Sequence, residues 1–281
     1  MNIDELIAMA LEEDLDGTGD VTSRAIFGVE EGKAVLISKA RGVLAGTDPF
    51  VRVFSTVDPS IRVSLFKNDG DFLEPGARVA EMSGKILSLL TAERTALNFL
   101  SYLSGIATKT RKMVAAASEG TTILDTRKTL PGYRMLAKYA VRIGGGKNHR
   151  MGLYDMVLIK DNHIDAVGSI TEAVRRIREK WGDTYRIEVE CRGLDEVREA
   201  LELEVDVVML DNMNPGTAAE AEALRRGMGK ETDKGKVLFE VSGNMDEEKI
   251  KRFSPGGVDY ISIGGLTHSV KAFDFSLIIE R

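Results

Sequence analysis

Six short runs of β-branched and apolar residues recur between residues 122 and 263. They are TILD at 122–125, MVLIK at 156–160, RIEVE at 186–190, DVVML at 206–210, VLFEV at 237–241 and VDYISI at 258–263. Each is too short for a buried helix, and helical patterns fill most of the intervals. Strands alternating with helices in this way predict an α/β unit built on a parallel sheet, because a parallel partner is reached only through a crossover. The interval after Ser169 shows the pattern well: Ser169 and Glu172 have capping-box spacing, and Ala173, Val174 and Ile177 continue on one helical face. The stretch RRGMGKETDKGK at 225–236 reads as an exposed loop.

Upstream of residue 104 the rhythm differs. Ile3, Leu6, Ile7, Ala10 and Leu11 have helical spacing before Gly17-Thr18-Gly19-Asp20 interrupts them. Alternating runs follow at 33–38, at 61–65 and around Val79, with turn signals at Asp69-Gly70 and Pro75-Gly76. Asp48-Pro49 reads as an N-cap with proline in the first helical position, opening a helix over Phe50 to Phe54. A long helical pattern from Thr91 to Ser118 turns Leu97, Leu100, Leu103 and Ile106 inward. This half is α+β, and the expected organisation is a smaller domain at 1–103 and an α/β barrel domain at 104–266, with a tail at 267–281 that can return to the first.

The 281 residues are 43% hydrophobic with a net charge of -6, which argues against a general nucleic-acid binder. One cysteine excludes an intrachain disulfide and a Cys-based zinc cluster. The acidic, amphipathic start MNIDELIAMALEEDL is unlike an export signal, and there is no 18-residue apolar run, so a soluble cytoplasmic protein is expected.

Against the acidic whole, the stretch from Arg127 to Lys160 carries eight Lys or Arg and one acid, Asp155. A basic concentration beside Gly144-Gly145-Gly146 and His149-Arg150 suits a small ligand with carboxylates or phosphates. The polar motifs also fall in a consistent place. Arg127 and Lys128 follow the first strand, Lys160 ends the second, Glu190 ends the third, Asp211 follows the fourth, Ser242-Gly243 the fifth and Gly264 the sixth. All lie at the C-terminal ends of strands, the rim where parallel α/β barrels assemble their sites. Glu190 and Asp211 are hard oxygen groups at the mouths of consecutive strands. Ser242-Gly243-Asn244 and Gly264-Gly265 offer backbone N–H groups to a phosphate. Glu188 lies two residues from Glu190 on the same strand face, which leaves the choice between these carboxylates open. Cys191 points to the opposite face and reads as packing.

The run TRKT-x-PG-x-R at 126–134, with KYAV-x-x-GGG-x-NHR at 138–150, LIKDNH at 158–163, LDN at 210–212, SGN at 242–244 and GVDYIS-x-GGLTHS at 257–269, closely resembles the quinolinate phosphoribosyltransferases. The resemblance covers nearly the whole chain from EDLDGTGDVTS at 13–23. It implies an open parallel α/β barrel with a smaller α+β sandwich domain. The implied reaction transfers phosphoribosyl from phosphoribosyl pyrophosphate to quinolinate with decarboxylation, giving nicotinate mononucleotide, with Mg2+ as cofactor. By resemblance, Arg127, Lys128, His149 and Arg150 hold the substrate carboxylates, and Arg94 reaches a neighbouring subunit's site. Ser242, Gly243, Gly264 and His268 hold the phosphoribosyl group, Lys160 stands near both substrates, and Glu190 and Asp211 take the ribose or Mg2+, directly or through the donor. The implied assembly is a homodimer or a hexamer formed as a trimer of dimers, with no nucleic-acid or membrane partner. The alternatives are a related phosphoribosyltransferase of molybdenum-transport gene clusters and a catalytically silent metabolite binder on the same fold.

Overall fold

The computed structural model describes residues 2–230 and 236–280. In chain order its elements begin with α1 (Ile3–Leu15), α2 (Val21–Ile26), β1 (Glu31–Ser38), β2 (Gly42–Val43), α3 (Thr47–Val57), β3 (Arg62–Leu65), β4 (Phe72–Leu73), β5 (Arg78–Lys85) and the long α4 (Ile86–Ala116). They continue as β6 (Thr122–Leu124), α5 (Arg134–Ile143), β7 (Val157–Ile159), α6 (Asp161–Val167), α7 (Ile170–Trp181), β8 (Ile187–Cys191), α8 (Leu194–Glu202) and β9 (Val207–Asp211). The last are α9 (Pro215–Gly227), β10 (Leu238–Ser242), α10 (Glu247–Phe253), β11 (Tyr260–Ser262), α11 (Gly265–His268) and β12 (Phe275–Glu280). Two compact units result. One holds residues 1–111, 130–145 and 269–281, and the other 112–129 and 146–268.

The first unit is built on a four-stranded antiparallel sheet in the order β12-β1-β5-β3, so the C-terminal strand pairs with the first strand of the chain. Ile7 and Leu11 of α1, Phe50, Val53 and Phe54 of α3, and Leu97 and Leu100 of α4 pack with Leu36, Ala80 and Met82 of the sheet into one core. Leu103 and Ile106 are also fully buried, as the helical spacing predicts. The entry to α3 differs from the sequence reading. The N-cap is Gly46, in the left-handed region at φ 101°, and Asp48 lies inside the first turn, where it pairs with Arg52. The capping carboxylate comes instead from Asp69, more than twenty residues away, which accepts from the N–H groups of Gly46 and Thr47 at 2.9 and 3.0 Å. Its Oδ2 also accepts from the Tyr139 hydroxyl at 2.6 Å.

The second unit contains all six expected strands in a fully parallel sheet, ordered β6-β11-β10-β9-β8-β7. The sheet is open between β6 and β7, with one bridge from Leu124 to Lys147 at the gap. It curls strongly: Glu188 on β8 and Glu240 on β10, with β9 between them, both approach the same imidazole, that of His149. This is the open parallel α/β barrel, and the first unit is the smaller α+β sandwich. The face turned away from the interior is apolar: Val189, Val208, Val241 and Ile261 are buried, as are Val174 of α7, Val197 and Leu201 of α8 and Ile250 of α10. Ser169 caps α7 through the Glu172 N–H, but the reciprocal half of the box is not made, because the Glu172 carboxylate is drawn to Arg175 and Arg176.

The reading of 225–236 as an exposed loop needs correction at its start. Arg225 lies in the last turn of α9 and is 4% exposed. Its guanidinium pairs with Glu222 and Asp259, donates to the carbonyls of Val237 and Gly257, and lies 4.6 Å from the Phe239 ring centre. Residues 231–235 of that reading lie outside the described residues.

Because Asp69 caps α3 and also holds the Tyr139 hydroxyl, Asp69→Ala should lower unfolding free energy by about 1–3 kcal/mol. Urea denaturation of the two proteins compares them directly; an unchanged midpoint would show that water replaces the cap.

Candidate active site

Period-two alternation decides which residues of the parallel strands face the interior. In β8 these are Glu188 and Glu190, in β9 Val207, Met209 and Asp211, in β10 Glu240 and Ser242, and in β11 Tyr260 and Ser262. They form two levels. The upper level opens at the strand C-termini into a cavity of about 440 Å3, lined by Arg127, Lys128, His149, Arg150, Lys160, Glu190, Asp211 and Ser242 among others. The lower level surrounds a smaller cavity of about 140 Å3 that includes Glu188 and Glu240. His149 and Arg150 line both. This separates the two carboxylates of β8: Glu190 faces the mouth, and Glu188 is buried below it.

The segment carrying His149 is held by Asp125. This fully buried carboxylate follows β6 and accepts from the His149 N–H at 3.0 Å and from the Asn148 side-chain amide. The two strand-like segments are also joined by backbone bonds from Lys147 N–H to Ile123 and from Asp125 N–H to Lys147. His149 then uses both ring nitrogens within the protein. Nδ1 accepts from the Arg150 N–H at 2.7 Å, and Nε2 lies 3.0 Å from Glu188 and 3.6 Å from Glu240. Both ring nitrogens of His149 thus have partners within the protein.

Of the eight cationic residues between Arg127 and Lys160, Arg127, Lys128, Arg150 and Lys160 line the mouth. Arg134, Lys138 and Arg142 belong to α5 in the first unit. Arg150 is partly buried; desolvation and the nearby Arg127 charge work against its cation, while Glu188 and Asp155 favour it. Its Nη1 also donates to the Met156 carbonyl at 3.2 Å. Lys160 forms an ion pair with Glu190, and its backbone N–H donates to His163 Nδ1 at 2.9 Å, so His163 fixes the main chain at the lysine.

Asp211 accepts from the neighbouring Asn212 amide, and Asn212 itself has a positive φ of 52°. Gly243 has φ 118°, and a β-carbon there would collide with the Asn212 side chain, so two loops meet at a position that requires glycine. At Gly264 a β-carbon would come within 3.0 Å of Lys128 and 3.2 Å of His268. The Thr267 hydroxyl donates to the Lys128 carbonyl at 2.8 Å, tying α11 to the loop after β6. His268 is exposed at the end of α11, and Gly264 precedes that helix. Arg94 is exposed on α4 in the first unit and is not among the residues lining the mouth. Cys191 is buried on the far face of β8, and burial raises its thiol pKa, in keeping with a packing role.

Asn212, Ser262 and Glu240 were absent from the sequence-derived set. The signal for Glu240 was an acid at an inward position of an otherwise apolar run, VLFEV. For metals, the one group of three His, Asp or Glu residues with ligand atoms close together among the described residues is His149, Glu188 and Glu240, with both glutamates below the mouth. Among the described residues no helix is long and apolar enough to cross a membrane.

A parallel α/β barrel whose strand ends bring cations, two carboxylates and glycine turns into one cavity has the site architecture of an enzyme acting on small anionic substrates. The chain belongs to the quinolinate phosphoribosyl transferase family: its C-terminal domain model matches residues 106–278 and its N-terminal domain model residues 20–104. A probable nicotinate-nucleotide pyrophosphorylase (carboxylating) of Bacillus subtilis is 45% identical over 93% of this chain and 88% of its own length. A chloroplastic nicotinate-nucleotide pyrophosphorylase (carboxylating) of Arabidopsis thaliana is 42% identical over 98% of this chain and 82% of its own. The crystal structure of nicotinate-nucleotide pyrophosphorylase from Ehrlichia chaffeensis superposes with a TM-score of 0.93 at 37% identity, covering 100% of this chain and 99% of that one.

Burial, and after it the Glu188 carboxylate, pushes Glu240 up to about 8; His149, Ser262 and Lys160 act in the opposite direction. A carboxyl that keeps its proton in the folded state but loses it when unfolded contributes stability below its ordinary pKa, and this is lost as pH rises towards the folded value. Glu240→Gln should therefore gain on the wild type by several degrees in Tm between about pH 5 and pH 9. Thermal melts across that range test it; a constant difference would show that Glu240 does not carry the proton.

Proposed function

We infer that this chain is a decarboxylating quinolinate phosphoribosyltransferase. It joins quinolinate to the phosphoribosyl group of phosphoribosyl pyrophosphate and releases pyrophosphate, CO2 and nicotinate mononucleotide, a step in NAD biosynthesis. The observation that carries this reading is one cavity in which Arg127, Lys128 and Arg150 stand with Lys160, Glu190 and Asp211, in a chain whose relatives bear that activity in their names.

The chemistry follows from the charges. Quinolinate presents adjacent carboxylates, and two guanidinium forks with an ammonium can hold both in different directions. The donor's pyrophosphate leaves as positive charge builds on the anomeric carbon, so Lys160 stabilises the leaving oxygens electrostatically. The pyridine nitrogen attacks the anomeric carbon, and holding the two in line supplies much of the rate. The bond between ring carbon and the 2-carboxylate then breaks. Its electron pair stays on the carbon beside the quaternised nitrogen and takes up a proton, and CO2 departs. No protein nucleophile is needed, consistent with the buried Cys191.

Glu190 and Asp211 are suited to the ribose hydroxyls. They also fit Mg2+, which takes one or two protein carboxylates and fills its other positions with water and substrate phosphate oxygens. Bound with the donor, the ion would supply charge neutralisation of the pyrophosphate. Ser242, Gly243, Gly264 and His268 form the proposed phosphate subsite, where the backbone N–H groups of two strand-to-helix turns would meet the anion. Arg94, exposed on α4, is proposed to complete the site of a neighbouring subunit in a homodimer or a trimer of dimers. The reading places the protein in the cytoplasm.

Lys160→Ala should lower kcat by roughly 10²–10³-fold with the fold retained, measured by steady-state turnover and circular dichroism. Wild-type turnover would remove Lys160 from the mechanism.

Substrate choice tests the function itself. Nicotinate lacks the 2-carboxylate and would leave cationic donors without a partner, so kcat/KM for quinolinate should exceed that for nicotinate by roughly 10⁴–10⁵-fold. Carbon dioxide, followed from labelled carboxylate, should appear in one-to-one ratio with the mononucleotide. Equal efficiency on nicotinate, or product without CO2, would overturn the assignment.

A further inference from the structure

Beneath the mouth, two acids stand where a barrel interior would ordinarily be apolar. Glu188 and Glu240 are each 1% exposed, and each has a second carboxylate oxygen, Oε1, that is buried without a hydrogen-bond partner. Their other oxygens converge on His149 Nε2 at 3.0 and 3.6 Å. Burying two carboxylates costs stability and is sustained only by a strong local partner. The partner is one imidazole, whose opposite nitrogen receives the N–H of Arg150.

That second bond fixes the protonation pattern of the ring. A nitrogen that accepts a hydrogen bond carries no proton, so Nδ1 is bare and the ring proton sits on Nε2, pointing at the acids. The same pattern disfavours a metal ion among the three residues, since metal coordination through Nε2 would need that lone pair free. We propose that Glu188 and Glu240 are positioning residues for quinolinate: they lock His149 as its Nε2–H tautomer, and the bare Nδ1 then fixes the Arg150 amide and aims the Arg150 guanidinium at a substrate carboxylate. The proposal rests on the functional reading above. Its reach is specific. The relay ends on Arg150, at the carboxylate-binding part of the mouth, and includes neither Ser242 nor Gly264 of the phosphate subsite.

The test is a double-mutant cycle on the intact protein. Glu188→Ala should raise KM for quinolinate by roughly 10-fold, the scale of one lost hydrogen bond to a charged group, with KM for phosphoribosyl pyrophosphate changed by less than about 2-fold. His149→Ala should show the same selective defect, and the double variant should be no worse than the single ones by more than about 2-fold, because both act through one ring. Glu188→Gln, whose carbonyl still accepts from Nε2–H, should recover most of the affinity. Should Glu188→Ala fail to fold, Glu240→Ala takes its place in the cycle. Additive effects, or equal loss for both substrates, would overturn the proposal. Nitrogen-15 spectra of the His149 ring read the tautomer without any substrate: a proton on Nδ1 overturns the relay even if quinolinate is turned over. An Nε2–H ring in a protein that ignores quinolinate would overturn only the functional reading. Metal bound in one-to-one ratio by the wild type and lost in Glu188→Ala would also overturn the proposal, in favour of a cation site.

Discussion

The site depends on Asp125. This carboxylate, wholly buried just past the end of β6, receives the His149 N–H and the Asn148 amide and so holds the segment after the three glycines against the strand. A buried acid is tolerable only when its oxygens are satisfied, and here the satisfying donors belong to the chain that must be positioned. Desolvation thus becomes specificity of placement. If the segment moved, Asp125 would lose its donors, and His149 and Arg150 would leave the interior together.

From that anchor the remaining geometry is set by strand period. Four of the barrel strands send one side chain into the lower level and the residue two further on to the mouth: Glu188 and Glu190, Val207 and Met209, Glu240 and Ser242, Tyr260 and Ser262. In register, Ser242 stands beside Asp211 on one side and Ser262 on the other. Asp211 and the proposed phosphate turns are therefore neighbours because their strands are neighbours, with no need for long loops to bring them together.

Much of this could be read from sequence because it is local. The six runs are hydrophobic by segment, the motifs follow them at fixed offsets, and parallel connection by helices leaves few arrangements, so Lys160, Glu190 and Asp211 could be placed on one rim. What escaped notice depends on partners far along the chain. Asp69 caps α3 from a turn after β3, so the nearer Asp48-Pro49 pair looked like the cap. Arg225 lies in a charged, glycine-rich stretch that reads as solvent-exposed, yet Glu222, Asp259 and Phe239 make it a buried cation. Glu240 was hidden for the opposite reason, one acid inside VLFEV, and inward-facing position rather than local composition reveals its importance. His149 was legible as a site residue, while the commitment of both ring nitrogens required coordinates from β8 and β10.

Glu188 also helps to explain how the mouth can hold so much positive charge. Two like charges about 4 Å apart cost on the order of 4 kcal/mol at the effective dielectric of a protein surface, and Arg127 and Arg150 are close enough to oppose each other. Glu188 offsets this from below and Lys160 has Glu190 beside it. The cations are thereby kept ordered and charged without occupying the upper volume that an anionic ligand must fill. An apolar lower level would leave the same guanidinium groups desolvated and mutually repelled, free to lower their energy by turning towards water. A cluster of cations at the mouth is thus eased by an acid set beneath it, which gives the buried Glu188 a physical reason to exist.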